Sequence, residues 1–202
     1  MKIGIIGTGR MASALAARWA RAGHDIFMGS RDAERGREAG AALGAQGGTY
    51  AQAAAHGEIL LLATPWNATR DVLAGLGDLG GKPLIETTNN FGGAGDGDGA
   101  TTEQVAAWAV NARVVKAFNT VFSPILTSDL TDRPTVFMVG DDDAAKRQVG
   151  QLISDAGFDP VDAGGAANAR WLDALAQLIV HLGYQRGMGS GIAYKLIQAR
   201  QS

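Results

Sequence analysis

"KIGIIGTGRMASALAARWARAG", residues 2–23, opens on an apolar run, turns through two glycines and continues with apolar residues at helical spacing. The run 2–7 shows no polar alternation, which suits a strand buried on both faces. Residues 10–22 repeat apolar groups with the period of a helix, and Gly23 stops it. Between them, "GTGRMA" at 7–12 has the form G-x-G-x-x-A. Gly7 permits a tight turn, Gly9 leaves room for a pyrophosphate against the backbone, and Ala12 lets helix and strand pack closely. Free amides at the helix start would face the phosphate. A bare glycine match says little. A strand before it, a helix after it and a second strand beyond give it weight. The alternative is a glycine turn in an α/β domain that binds nothing there.

The rest of the chain continues the alternation. "HDIFMGS" (24–30), "EILLLATP" (58–65), "KPLIETT" (82–88), "RVVKAFN" (113–119), "TVFMVG" (135–140) and "FDPVDAG" (158–164) have strand character. Helices are expected at 33–43, 50–56, 67–76, 101–109, 141–157, 166–183 and 189–200. Strand, helix, strand without hairpin signals means a parallel sheet covered on both faces, the Rossmann-type doubly wound α/β fold. The predicted division is a dinucleotide-binding domain at 1–162 and a small helical segment at 163–202. Ligands of such sheets lie beyond the carboxyl ends of the strands, so attention falls on 7–12, 30–37, 63–67, 87–92 and 117–121.

Composition narrows the classes. The 202 residues carry a net charge of −2, which gives no electrostatic footprint for nucleic acid or an anionic membrane. The absence of cysteine excludes disulfides, thiolate metal sites and cysteine nucleophiles. No apolar run is long enough to span a bilayer, and the chain opens directly into a strand, so a cytoplasmic protein is expected.

The second strand ends near Gly29, 22 residues beyond Gly7. A carboxylate there would bind both ribose hydroxyls of NAD and repel a 2′-phosphate. The chain instead offers Ser30 and Arg31, with Arg35 one turn later and Thr8 and Arg10 nearby. A guanidinium forks onto phosphate and a hydroxyl donates to it, which predicts NADP(H) over NAD(H). Asp32 is expected to point away as a helix cap. Ala63 and Thr64 of "ATPW" should line the diphosphate and ribose, with Pro65 starting a helix. Trp66 either stacks near the cofactor or packs on a helix face. Thr88 and Asn89 of "ETTNN" approach the nicotinamide half, and Phe118, Asn119 and Thr120 of "KAFNT" edge the nicotinamide. Met11 lies in the glycine turn itself.

Other reactive side chains have plainer explanations. Lys116 precedes its strand end, where an ion pair is at least as good a reading as a catalyst. Glu86 is expected to be buried near a strand end or at an interface. His24, His56 and His181 lack metal spacing, and His181 sits among apolar residues as a core histidine would. "DDD" at 141–143 suits a charged first helical turn better than a magnesium site. The chain thus offers cofactor-holding groups and no catalytic acid or base. Hydride transfer between two ring systems needs alignment more than proton chemistry.

The stretches "IGIIGTGRMASALAARWARAGHDIFMGSRD", "ATPW", "VVKAFNT", "GDDDAAKRQV", "VDAGGAANAR" and "GMGSGIAYKL" together resemble the NADPH-dependent reductases of the deazaflavin coenzyme F420. The likeness runs through nearly the whole chain in order. It implies a Rossmann domain, a small helical carboxyl-terminal part, a homodimer, and hydride transfer between NADP(H) and the deazaflavin. It also implies that Thr8, Arg10, Ser30, Arg31 and Arg35 hold the NADP phosphate, and that Gly187, Met188 and Gly189 close over the deazaflavin. "KAFNT" also resembles the reductase domain of membrane metalloreductases, which pass electrons from NADPH to a flavin. Pyrroline-carboxylate-type reductases share the amino-terminal pattern, but their long helical domain has no room after residue 165. The acceptor is a small redox molecule whose pocket should form from 89–99, 118–122 and 184–190. The competing functions are an NADPH-dependent flavin, ferric or other small-acceptor reductase, and a non-catalytic NADPH-sensing module.

Overall fold

The computed structural model describes residues 1–91 and 101–199. Its centre is a parallel six-stranded sheet of order β3-β2-β1-β4-β5-β6. The strands are β1 (Lys2–Ile6), β2 (Asp25–Ser30), β3 (Gln46–Thr49), β4 (Ile59–Leu62), β5 (Pro83–Glu86) and β6 (Arg113–Lys116). Helices α1 (Arg10–Arg21), α2 (Ala33–Ala41), α3 (Tyr50–His56), α4 (Trp66–Leu76) and α5 (Thr101–Trp108) join them in turn. The order reverses between β1 and β4, so a crevice opens above those two strands at their carboxyl ends. The strands there are apolar on both faces: Ile3, Ile5 and Ile6 of β1 and Leu60, Leu61 and Leu62 of β4 are fully buried. This is the Rossmann-type fold that the alternation of elements predicts.

Two glycine contacts set the backbone near the crevice. Gly7 sits at φ +140, and a Cβ there would lie 2.5 Å from the Ala63 carbonyl oxygen. Only glycine lets β1 turn toward the end of β4 at that distance. The strand β3 has the sequence QGGT and gives no strand signal in the sequence. A Cβ on Gly47 would lie 1.9 Å from the Gly36 carbonyl oxygen, so the bare backbones of β3 and α2 touch and hold the strand in place.

After β6 the path changes. A short helix α6 (Ser123–Thr127) precedes β7 (Thr135–Met138), α7 (Asp143–Asp155) and β8 (Asp159–Asp162). The strands β7 and β8 pair with each other in a separate two-stranded parallel sheet. It meets the large sheet through one antiparallel bridge, Lys116 to Val139. The five residues of α6 are too few for a covering crossover helix, so β7 does not join as a seventh parallel strand.

Beyond β8 a 3-10 turn (Ala166–Asn168) leads into α8 (Ala169–Val180), which ends in a π-helical turn (His181–Gln185). No helix follows within the described residues 189–199, contrary to the sequence expectation for 189–200. Gly187 and Gly189 adopt φ +73 and +77, which ends the helical path. The chain then runs irregularly past β7: the Thr135 amide donates to the Tyr194 carbonyl at 2.8 Å, and the Leu196 amide to Thr135 Oγ1 at 2.9 Å. The Tyr194 hydroxyl donates to the Leu175 carbonyl at 2.8 Å, so this strap also fastens α8. Among the described residues no helix is long and apolar enough to cross a membrane.

Candidate functional site

A cavity of about 460 Å³ occupies the crevice at the carboxyl ends of β1, β4 and β5. Of the residues singled out from sequence, Gly9, Arg10, Met11, Ala63, Thr64, Pro65, Trp66, Thr88 and Asn89 line it. Thr87, Val121, Phe122, Ser123 and Tyr184 complete the lining. The segments 87–92, 118–122 and 184–190 mark that neighbourhood, but nothing local singles out Ser123. Tyr184 arrives on the π-helical turn and meets Phe122 edge-on, with ring centroids 5.6 Å apart. Gly183 beside it makes the approach possible, since a Cβ there would lie 2.9 Å from the Gly189 carbonyl oxygen. Trp66 lines the cavity and packs on Trp108, with ring centroids 5.3 Å apart. A second cavity of about 430 Å³, between α1 and α6, shares Arg10 and Ser123 with the first.

The glycine turn is shaped for close approach. Gly9 caps α1 without a side chain, and a Cβ on it would meet nothing within 4 Å. That open space lies in front of the α1 amides, where an anion is favoured. Thr8 is half-buried beside it. At the neighbouring strand end Ser30 is buried, while Arg31 and Arg35 are exposed. The acidic side chains nearby are engaged: Asp32 caps α2, and Glu34 pairs with Arg37. Among the described residues Arg10, Arg31 and Arg35 have no ion-pair partner, so three guanidinium groups stand uncommitted around the turn. These residues would suit a 2′-phosphate and a pyrophosphate.

Four expectations are corrected. The Phe118 side chain does not edge the cleft: at φ +63 the backbone turns its ring into the core, between Trp19 and Phe158, each 6.1 Å away. His181 is exposed and bonds Gln185 at 2.7 Å, so it is not a core histidine. In place of the helix expected at 189–200, the described residues 189–199 form an irregular strap. Met188 stands 58% exposed outside the cavity lining, its amide donating to the Leu182 carbonyl at 3.2 Å. The part of the expected acceptor pocket at 92–99 lies outside the described residues.

Asn119 and Thr120 are buried behind the cleft wall. Asn119 Nδ2 donates to Asn89 Oδ1 at 3.2 Å and to the Leu172 carbonyl at 3.2 Å, while Asn89 Nδ2 donates to the Asn119 carbonyl at 2.8 Å. Glu86 and Lys116 are both fully buried and paired at 2.9 Å. Lys116 is therefore no proton carrier for the cleft: its ammonium is spent on internal acceptors. Among the described residues no group of three or more acidic or histidine side chains could hold a metal ion.

Fold and cleft together are those of the Rossmann-type dinucleotide-binding proteins. Within the chain, residues 2–90 match the model of the family described as NADP oxidoreductase, coenzyme F420-dependent. The chain is 28% identical over 206 aligned positions to the F420-dependent NADP reductase of Methanothermobacter thermautotrophicus, covering 90% of this chain and 89% of that protein. A solved structure from Arthrobacter sp. FB24, described as a candidate F420-dependent NADP reductase, superposes with a TM-score of 0.86 at 25% identity over 98% of this chain and 100% of the other. The chain is also 29% identical to rat metalloreductase STEAP3 over 86% of its own length, which is 36% of that larger protein.

Proposed function

We propose that this protein transfers a hydride between NADP(H) and the deazaflavin coenzyme F420. The observation that carries the reading is the chemistry of the cleft. Among the described residues its lining holds no ionisable side chain apart from Arg10 and Tyr184. An alcohol dehydrogenase would need a positioned proton carrier there. Met11, Trp66, Phe122 and Tyr184 instead offer aromatic or polarisable surface for flat rings. The relatives named for F420-dependent reduction of NADP support the same reaction.

In this reading Gly7, Thr8, Gly9, Arg10 and Met11 hold the pyrophosphate, and Ser30, Arg31 and Arg35 hold the 2′-phosphate. Ala63, Thr64, Pro65 and Trp66 flank the diphosphate and ribose. Thr88 and Asn89 wall the nicotinamide half, backed by Asn119 and Thr120. The two bound rings supply hydride donor and acceptor; the chain binds, orients and excludes water. Residues 1–162 carry the dinucleotide and 163–202 close the acceptor side. Trp171, at 59% exposure, and Leu178, at 47%, lie seven residues apart on one face of α8 and form the contact of a homodimer. The enzyme works in the cytoplasm.

The test mixes purified protein with NADPH and oxidised F420 and follows loss of the deazaflavin absorbance, with NADH as control. Bleaching with NADPH alone supports the reading. The likeness to the metalloreductase favours a second reading, an NADPH-dependent flavin or ferric reductase. Activity with FMN, FAD or ferric citrate and none with F420 would select it. NADPH binding without turnover on any acceptor would select a sensor. Sedimentation of a monomer at micromolar concentration would remove the dimer.

A further inference from the structure

Directly beneath the cleft lies a buried ion cluster that the reaction does not use. Lys116 Nζ lies 2.9 Å from Glu86 Oε2, 3.0 Å from Asp173 Oδ1, 2.7 Å from Thr101 Oγ1 and 3.0 Å from the Thr88 carbonyl. An ammonium has three protons, so the site is saturated with acceptors. The Thr102 hydroxyl donates to Glu86 Oε2 at 3.0 Å. Glu86 Oε1 accepts the Thr88 amide at 2.6 Å and also the Thr88 hydroxyl. Amide, hydroxyl and carbonyl of Thr88 thus all end on the Lys116–Glu86 pair.

Thr88 is also a cleft residue, and its neighbour Asn89 is held by Asn119. The two polar clusters terminate on adjacent residues of α8, Leu172 and Asp173. A buried ion pair is a weak source of stability, because taking both charges out of water costs several kcal/mol per ion. What it provides here is fixed geometry: two residues of the cleft wall are locked to the sheet and to the carboxyl-terminal helix at once.

We infer that Lys116 and Glu86 are positioning residues, which set Thr88 and Asn89 against the nicotinamide half of the dinucleotide and make α8 part of that alignment. The inference rests on the reading of the cleft as an NADP(H) site. It predicts an effect confined to one half of the ligand. Misplacing a reacting group by about 1 Å can cost on the order of a hundredfold in rate. The phosphate end, held by the glycine turn and the arginines, should not respond.

The experiment compares wild type with Lys116→Met and with the double variant K116M/E86L. The single variant leaves Glu86 buried beside an apolar side chain, and its melting temperature should fall sharply. The double variant removes both charges of the pair and should recover part of that loss, the Thr88 and Thr102 donors and Asp173 being left without their partners. Binding of 2′,5′-ADP, which lacks the nicotinamide, is measured by calorimetry, and binding of NADPH by nicotinamide fluorescence. For the folded double variant, 2′,5′-ADP affinity within twofold of wild type with NADPH affinity and kcat each reduced roughly tenfold or more is the expected result. NADPH affinity and kcat within twofold of wild type would overturn the inference, and so would equal losses for both ligands. Asp173→Asn, made on the partly exposed end of the cluster, should show the same split at smaller amplitude. Wild-type behaviour of that variant toward NADPH would count against the inference even if the double variant failed to fold. Failure of the wild type itself to bind NADPH would instead overturn the cofactor reading, and the inference with it.

Discussion

Asp32 Oδ1 accepts a hydrogen bond from the Glu34 amide at 2.9 Å, which makes the carboxylate after β2 a helix cap. It is thereby committed to α2, while Arg31 beside it is exposed and, among the described residues, unpaired. Arg31→Ala should remove one charge-assisted contact to a 2′-phosphate, about 1.5–3 kcal/mol. NADPH affinity is expected to fall roughly tenfold or more, and NADH affinity to stay within about twofold. Fluorescence titration with both nucleotides checks this. Equal losses would remove the phosphate assignment.

The glycine turn and the alternation of strand and helix were legible because their signals are local. Gly7, Gly9 and Ala12 act within one turn, and the apolar runs of β1 and β4 need only their own residues to announce burial. The misses are long-range. Strand β3 exists because Gly47 meets the backbone of Gly36, a contact that strand propensity does not register. Phe118 follows a strand end, where cleft residues belong, yet a positive φ sends its ring into the core. Residues 189–200 have apolar spacing, but the glycines at 187 and 189 and the two hydrogen bonds with Thr135 fix 189–199 as a strap. Lys116 finds Asp173 across 57 positions of sequence, and no pattern of neighbours predicts that. The cavity lining at 9–11, 63–66 and 88–89 was legible residue by residue, whereas Phe122 and Tyr184, which converge from separate elements, were marked only as parts of segments.

Gly7 and Gly9 should respond differently to the same substitution. Alanine at 7 must adopt φ +140 and sit 2.5 Å from the Ala63 carbonyl oxygen. Strain of this kind costs on the order of 1–3 kcal/mol before the clash is counted. In a chain of this size the melting temperature should drop by roughly 5 °C or more. Alanine at 9 meets nothing within 4 Å and should leave the melting temperature nearly unchanged. It fills the space in front of the α1 amides, so NADPH affinity should fall roughly tenfold. Thermal melts paired with NADPH titration separate the two effects. A Gly9→Ala variant with wild-type affinity would mean that no phosphate passes close to that backbone.

Arg18 joins α1 to the carboxyl ends of α6 and α7. Its Nε donates to the Leu126 carbonyl at 2.5 Å, Nη1 to Ala156 at 2.8 Å, and Nη2 to Ser128 at 2.8 Å. The guanidinium also lies 5.3 Å from the Phe158 ring centroid. Burial lowers its pKa below the ordinary arginine value and nearby Arg21 adds to that, with Asp129 partly opposing. Arg18→Met should cost about 2–4 kcal/mol, since charged hydrogen bonds contribute roughly 1.5–3 kcal/mol each and part of the site can rehydrate. Arg18→Lys should recover only a minor share, because an ammonium cannot fork onto three carbonyls at once. Urea denaturation of the two variants measures both numbers. A loss below about 0.5 kcal/mol, the scale of a surface substitution, would show that these helix ends hold their positions unaided.

Lys146 Nζ lies 2.9 Å from Asp162 Oδ2 and ties α7 to β8. The pair also gives the fold a pH signature. Burial pushes Asp162 upward, but the Lys146 hydrogen bond, the Gly164 amide and the Lys146 charge outweigh it, and its pKa lies below the ordinary carboxylate value. The hydrogen bond to Asp162 raises Lys146 above the ordinary lysine value, against some desolvation. A depressed acid stabilises the folded state above its unfolded pKa of about 3.9 and loses that contribution as pH falls through the folded value. A raised base contributes fully below its unfolded pKa of about 10.4 and loses its share as pH rises through the folded value. Both groups therefore favour folding across the neutral range, and the pair weakens at each extreme. Asp162 is nearly half-exposed, so screening by solvent keeps the effect to about 1 kcal/mol or less. Asp162→Asn should lower stability slightly at pH 7 and converge with wild type in acid. Melting curves from pH 7 down to about pH 2 test this, and a constant gap between the two proteins over that range would show that Asp162 acts through packing and not through charge.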